Sequence, residues 1–498
     1  MPGHLSSPRS LHGGAAHRET TRYLLDRHER RAASRPWSVL IVLCAAQFMV
    51  ILDMTVTSIA LPSIGRSLGF AAADLPWVVT SYLLATGGLT LLGGRAADLF
   101  GGRRTFSIGL ALFTAASLAS GLAPDAAALL AARSAQGIGA ALLTPSALAL
   151  ITASYSGPRL ATALSAWGAL AGGGLATGVL LGGVLTSWLG WRSVFLINVP
   201  VGVAAWLVAR HLLPASGARA PRAGRLDLRG AVLAVGGLVA LDYGISAHGW
   251  GPARIFALAA SAALLAGFGL AERQAERAGG SPLVPVGIFR SRTLTLGGLA
   301  LLAATGIQVG VVLLSSLFVQ GVTGASAVRA GVEFLPPVLV TGLGAGLAAH
   351  LMRKAGSRPL SVAGFALMAA GALLLSRVTA GSGYLGGILP GLLLLGAGSG
   401  LAFPSAQVTG LYKVRAELSG LASGLLTTGH ETGAALGAAI FPAVAASVTG
   451  FAAGGPGFAL GYRHALLVAA IVAAVLAAAA AALLPNARPA AGTKVGLH

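Results

Sequence analysis

From Trp37 to about residue 485 the chain is a succession of long apolar stretches, interrupted by short segments in which Gly, Pro, Arg and Asp gather. The stretches reach the roughly 20 residues that a helix needs to cross a bilayer. They lack the pattern of a transmembrane barrel, about ten residues with every second one apolar. Hydrocarbon offers no partner to a backbone amide or carbonyl, so unbroken apolar runs cross it as helices. The pattern predicts fourteen spans, near residues 38–61, 76–95, 105–123, 128–151, 162–186, 194–212, 230–249, 254–272, 294–320, 328–350, 359–378, 385–408, 418–446 and 464–485. The expected fold class is an all-α polytopic membrane protein.

Composition narrows the function. Of 498 residues, 55% are apolar and 10% charged, and the mean hydropathy is +0.80. Soluble domains carry about a quarter charged residues, so a soluble multidomain enzyme is excluded. The 34 Lys and Arg against 14 Asp and Glu give +20, which in a soluble chain points to nucleic acid. Position decides otherwise. An even number of spans puts both termini on one side. Arg66, Arg192, Arg254, Arg329, Arg377 and Arg463 fall in loops of the opposite side and Arg133 within a span, leaving 27 of the 34 on the terminal side. Basic residues collect in cytoplasmic loops, so both termini are expected in the cytoplasm. The basic segment 1–36 reads as a tail, because the apolar run after it begins too late and is too long for a cleavable signal peptide. The single cysteine, Cys44, lies inside the first run and leaves no disulfide framework or thiolate metal site.

An internal repeat organises the spans. The second run ends Gly94-Arg95-Ala96-Ala97-Asp98-Leu99 and the tenth Gly346-Leu347-Ala348-Ala349-His350-Leu351, each ahead of a basic pair, Arg103-Arg104 and Arg353-Lys354. Aligning them makes spans 1–6 and 9–14 equivalent, the inner symmetry of many carriers, with spans 7 and 8 left over. The expected organisation is a basic cytoplasmic tail (1–36), an N-terminal six-helix bundle (37–212), linkers with additional helices 7 and 8 (213–293), a C-terminal six-helix bundle (294–486) and a short cytoplasmic tail (487–498).

Four segments are more specific. Leu52-Asp53-Met54-Thr55-Val56-Thr57-Ser58-Ile59-Ala60-Leu61-Pro62 ends the first span, and Gly94-Arg95-Ala96-Ala97-Asp98-Leu99-Phe100-Gly101-Gly102-Arg103-Arg104 follows the second. Arg133-Ser134-Ala135-Gln136-Gly137-Ile138-Gly139-Ala140 lies in the fourth, and Gly174-Leu175-Ala176-Thr177-Gly178-Val179-Leu180-Leu181-Gly182-Gly183 in the fifth. In this order they resemble motifs of the major facilitator superfamily, and within it the fourteen-helix drug:proton antiporter branch; the resemblance covers about residues 37 to 486. The chain departs from those motifs at Ser58 (usually Asn), Ala96 (Leu), Gly102 (Arg) and Val179 (Pro), and His430-Glu431 stands where relatives often carry Arg-Gln. The resemblance implies two six-helix bundles plus two additional helices. It implies Asp53 as the proton-coupling acid with Arg133 as partner, and a cytoplasmic latch of Asp98, Gly101, Arg103 and Arg104. It also places the helix carrying Gly174, Gly178, Gly182 and Gly183 at the interface between halves. Without the usual Pro at Val179, the kink of that helix is expected to be absent.

Elementary electrostatics adds to this. Four acids lie within the spans away from their ends: Asp53, Asp242, Glu333 and Glu431. A lone charge at the centre of a membrane helix costs roughly 2.5–3.5 kcal/mol on insertion scales, so each should be neutral, paired or facing a polar cavity. Asp53, nine residues before Pro62, lies roughly 13 Å below the far end of its span, and Arg133 about 8 Å down the fourth. Those depths suit a pair that exchanges a proton, or an inert ion pair that positions helices. Glu431, about 20 Å into its span, is a candidate countercharge in a substrate cavity or a partner of a neighbouring hydroxyl. Ser58, Gln136 and Glu333 are further cavity candidates, Glu333 also a rim charge. Asp242, outside both halves, reads as structural, and Trp37, Trp77, Trp188, Trp191 and Trp250 as anchors at the membrane interface.

No phosphate-binding Gly-x-x-x-x-Gly-Lys-Ser/Thr segment is present, and the ten histidines have no metal-ligand spacing. The expectation is a non-enzyme without cofactor, driven by a proton gradient. It would export small hydrophobic or cationic compounds across the cytoplasmic membrane by alternating access, as a monomer in lipid, with no nucleic-acid partner. Alternatives are a dedicated exporter of one endogenous metabolite or antibiotic, an importer, or a scaffold or regulatory protein that kept the fold.

Overall fold

The computed structural model describes residues 37–71, 74–213, 226–246, 251–278, 282–379, 381–415, 418–449 and 456–488. The expected tail at 1–36, most of that at 487–498, and Trp250 lie outside them. The regular elements described are all helical. In chain order the long ones are α1 (Ser38–Leu68), α2 (Trp77–Phe100), α3 (Gly102–Gly121), α4 (Ala126–Ser154), α5 (Gly157–Trp188), α6 (Arg192–Leu212), α7 (Leu228–Ser246), α8 (Pro252–Arg277), α9 (Arg292–Gly321), α10 (Ala327–Ala355), α11 (Ser357–Leu375), α12 (Leu389–Leu411), α13 (Ser419–Thr449) and α14 (Pro456–Leu483). Thirteen are apolar and long enough to span by composition alone. The other, α3, opens on Arg103 and Arg104. Its 20 residues still reach about 30 Å, it packs along α4, and Thr114 turns its hydroxyl back onto Leu110 O at 2.7 Å.

Several boundaries moved for identifiable reasons. The first helix does not stop near residue 61 but runs through Pro62 to Leu68, which puts Asp53 about 22 Å from its far end. Pro62 removes the amide that would bond Ser58 O. That carbonyl instead accepts Ser316 Oγ of α9 at 3.4 Å, and Ile59 O accepts Gln320 Nε2 at 3.1 Å. In α6, Pro200 removes the amide for Leu196 O, and the helix is interrupted at Ile197. Gly101 (φ +91°) and Gly356 (φ +84°) each make a one-residue turn, between α2 and α3 and between α10 and α11, in a region that a Cβ disfavours.

In the first six helices α1 packs on α5 and α6, α2 on α4, and α3 on α4 and α6. Eight helices later the same pairs recur: α9 on α13 and α14, α10 on α12, α11 on α12 and α14. Small residues bring backbones together, as expected where helices associate without a hydrophobic drive; Gly437 of α13 abuts the Gly306 carbonyl of α9. The two sets meet along α2–α13, α5–α10 and α1–α9. The additional hairpin α7–α8 lies over the α2–α13 seam, with α7 touching both helices and Val235 filling the space beside Gly88.

Arg95, Arg103, Arg104, Arg353 and Lys354 mark one end of the bundle, the basic face. Toward the opposite, far face, α5 and α10 are in backbone contact: Gly183 abuts Ala327 O, and Gly331 abuts Val179 O. About three turns nearer the basic face, on the same sides of these helices, Gly172 and Gly342 have no neighbour within 4 Å of a Cβ position. The helices therefore converge at the far face and splay toward the basic face.

Candidate functional site

The polar centre of the first half is built from five helices. Asp53 (α1) and Arg133 (α4) form an ion pair, Nη1 to Oδ2 at 2.6 Å, with both side chains fully buried. The other carboxylate oxygen, Oδ1, accepts Gln136 Nε2 at 2.8 Å and Asn198 Nδ2 at 2.9 Å. Arg133 Nη1 also reaches Gln136 Oε1 at 2.7 Å, and its Nε donates to Val78 O of α2 at 3.0 Å. Ser117 of α3 accepts from Asn198 at 3.1 Å and donates to Phe195 O at 2.9 Å. The guanidinium lies over the Tyr82 ring, 4.5 Å from its centroid, and 5.6 Å from that of Phe195.

Local sequence explains the convergence. Arg133 and Gln136 are one turn apart on α4 and face the same neighbour. The interruption of α6 aims Asn198 inward. The glycines of α4 allow the approach, since a Cβ at Gly137 would strike Tyr82 O. A buried ion pair survives when further hydrogen bonds satisfy its remaining atoms; here two amides and a carbonyl do so, although Arg133 Nη2 and Tyr82 Oη have no partner. Adding a proton to Asp53 would cancel the charge that holds Arg133 and both amides, and so loosen α1, α3, α4 and α6 together. Six residues nearer the basic face, Gln47 of α1 accepts Thr144 Oγ1 of α4 at 3.0 Å, half-buried.

The sequence-derived candidates distribute as follows. Gln136 is fully buried in the Asp53 network rather than on a cavity wall. Ser58 donates to Met54 O at 3.0 Å. Glu431 lies at mid-depth on α13, with its Cβ beside Gly87 of α2 and Oε2 unpartnered, in electrostatic reach of Tyr82. Its neighbour His430 meets Thr305 Oγ1 at 2.9 Å. Glu333, near the start of α10, pairs with Arg329 at 2.8 Å. Asp98 is exposed and pairs with no described residue, whereas Arg103 donates to Arg210 O at 2.5 Å. Gly174, Gly178 and Gly182 pack on α1 at Ile51, Thr55 and Val56, and Gly183 packs on α10. The helix is continuous through Val179. Trp191 is not an interface anchor: it is 4% exposed and meets Phe195 edge-on at 6.1 Å, because the short segment before Ile197 turns into the bundle.

Sequence reasoning passed over Asn198, Ser117 and Tyr82. Asn198 had a signal, an amide in an apolar span two residues before a proline. Ser117 had none, since hydroxyls recur along α3.

Residues 43–438 match the family profile of the Major Facilitator Superfamily. The chain is 43% identical over 396 residues to the cephamycin export protein CmcT of Amycolatopsis lactamdurans, covering 78% of this chain and 81% of that one. It is 40% identical over 407 residues to the puromycin resistance protein pur8 of Streptomyces alboniger, covering 80% and 79%. Its fold is similar to that of an auto-inhibited POT family peptide transporter, with a TM-score of 0.66, 16% identity, and 93% of this chain and 100% of that chain covered.

Proposed function

The chain belongs to the Major Facilitator Superfamily, and from that premise we propose that it exports small hydrophobic or cationic compounds by proton antiport across the cytoplasmic membrane. The observation that carries this reading is the buried Asp53–Arg133 pair with its two amide donors. An intramembrane acid held by several helices couples one proton to their relative position. The basic face is cytoplasmic by the distribution of Lys and Arg, so the splayed α5 and α10 open the bundle toward the cytoplasm. In that state substrate enters between the halves and Asp53 is ionised. After the halves rock to open the far face, a proton from outside neutralises Asp53 and substrate leaves. The return stroke reopens the cytoplasmic side, toward which the Gln47–Thr144 pair lies from Asp53, and the proton departs there. The moving bodies are 37–212 and 294–486, and the loop of Asp98, an acid that pairs with no described residue, latches the cytoplasmic side when it closes.

The test is uphill transport of puromycin or ethidium in vesicles of purified protein under an imposed proton gradient. Wild type accumulates the compound; Asp53→Asn keeps downhill exchange and loses accumulation. Accumulation by D53N at the wild-type rate would refute the coupling role. These two relatives are named for single antibiotics, a cephamycin and puromycin, which favours a second reading, a dedicated exporter of one antibiotic-like metabolite. Competition by a chemically mixed panel separates the two: mutual inhibition indicates breadth, and inhibition by one chemical class indicates dedication. Glu431 is the proposed countercharge for cations. Glu431→Gln is expected to reduce transport of cations several-fold more than that of neutral compounds, and equal loss across the panel removes it from the substrate site.

A further inference from the structure

Asp242 belongs to the additional hairpin, outside both repeated halves, yet it is as buried as Asp53, with 0% of its surface exposed. Unlike Asp53 it is held by no charge or amide among the described residues, and both carboxylate oxygens lack a hydrogen-bond partner of ordinary geometry. Thr80 of α2 is the hydroxyl within reach of the carboxyl, and its Oγ1 is likewise buried with no hydrogen bond of ordinary geometry. A carboxylate with no compensating charge or donor is strongly disfavoured in an apolar interior. A structural acid retained for packing would be expected to spend its oxygens on bonds; this one does not.

The surroundings are specific. Gly237 and Gly244 of α7 abut Leu265 and Leu258 of α8, so α8 presents Ser261, 3% exposed, at the level of Asp242. Arg254 stands about two turns away, nearer the far face. The part of α13 beyond Glu431, residues 432–449, holds no titratable side chain, and Glu431 itself lies deeper, against Gly87. On α2 the titratable group near Thr80, Tyr82, is turned to Arg133, Arg95 and Asp98 lie at the basic end, and Tyr243 of α7 lines a pocket. That pocket, about 240 Å³, lies between α2, α7 and α8 and is walled by Asp74, Trp77, Tyr243, Ser246 and Arg254. Ser246 is one turn from Asp242 on α7, and Trp77 one turn from Thr80 on α2, so the acid and the hydroxyl lie directly beneath the pocket.

We propose that Asp242 is a second proton-binding carboxyl of this protein, loaded from the far face through the pocket between α2, α7 and α8. The step is the addition of one proton to the carboxylate, giving a neutral acid that needs no counterion and can donate to Thr80. Its consequence falls on α2, whose opposite side holds Arg133 through Val78 O and the Tyr82 ring. The charge state of Asp242 thus bears on how closely the hairpin sits on α2 and on the α2–α13 seam. The use of this proton in transport rests on the antiport reading above; the binding itself does not.

The experiment is infrared spectroscopy and proton counting on the purified full-length protein without substrate. At neutral pH the wild type should display a protonated-carboxyl band that Asp242→Asn removes and Glu431→Gln retains. Thr80→Val, which leaves the acid in place, should shift the same band. In weakly buffered detergent, a step from alkaline to neutral pH should load one proton more per molecule on wild type than on D242N. An unchanged band and an equal proton count in D242N overturn the proposal. Should D242N fail to fold, an unshifted carboxyl band in the folded T80V protein overturns it as well. A wild type that moves no protons when substrate is added would instead refute antiport, leaving the band and the count to decide Asp242.

Discussion

Asn198 Nδ2 donates to Asp53 Oδ1 at 2.9 Å, across 145 residues of chain. The bond ties the interrupted helix α6 to α1 and gives the carboxylate a second amide donor beside Gln136. A hydrogen bond to a charged group is worth roughly 1.5–3 kcal/mol. Asn198→Leu is therefore expected to lower stability by about that amount and to slow gradient-driven transport, with Asp53 less firmly held. Thermal unfolding in detergent and vesicle uptake measure the two effects; wild-type behaviour in both would make the amide incidental.

Removing one member of a buried ion pair costs about 3–5 kcal/mol, because the survivor is left uncompensated. Arg133→Met should lose that much and stack poorly on Tyr82. The double variant D53N/R133M should recover part of the stability while remaining inactive. A double-mutant cycle from unfolding midpoints yields the coupling, and strict additivity would mean that the 2.6 Å contact is energetically idle.

Gly437 and Gly172 separate packing from openness. A Cβ at Gly437 would overlap the Gly306 carbonyl, whereas one at Gly172 meets nothing within 4 Å. Gly437→Ala should destabilise by roughly 1–3 kcal/mol through overpacking, and Gly172→Ala should leave stability within about 0.5 kcal/mol of wild type. If α5 and α10 close on each other at the basic face during transport, G172A should still slow turnover. Yield, melting temperature and uptake rate distinguish these outcomes.

Asp98 is exposed and pairs with no described residue in the basic-face-open state, so Asp98→Ala should change stability by less than about 0.5 kcal/mol. Its effect is expected in the opposite state, where the loop latches. Distances between spin labels on the basic-face ends of α2 and α11 should shift toward the open population in D98A. Identical distributions would reduce the loop to a topology signal.

The number of helices and the repeat were legible in the chain, because a bilayer imposes a length on each span and backbone satisfaction leaves a helix as the form it takes. The sequence also marked Asp53 and Arg133, since a charge in an apolar run is costly enough to need a reason. Which atoms meet was not legible. The carboxylate of Asp53 gathers partners from α4 and α6, and Ser117 joins from α3, through helix rotations fixed by glycines such as Gly137 and by the interruption ahead of Pro200. Hydroxyls and amides have no periodicity that announces a shared partner. The continuation of α1 through Pro62 likewise depends on Ser316 and Gln320, more than 250 residues away, satisfying the carbonyls that the proline region exposes. The proposal for Asp242 arises in the same way: sequence placed it outside the repeated halves, and only the packing of α7 on α2 shows carboxylate oxygens without an ordinary hydrogen bond beneath a pocket. Local sequence determines which segments enter the membrane; the identity of the neighbour across a helix interface, which sets the chemistry of each buried polar group, is decided by tertiary packing.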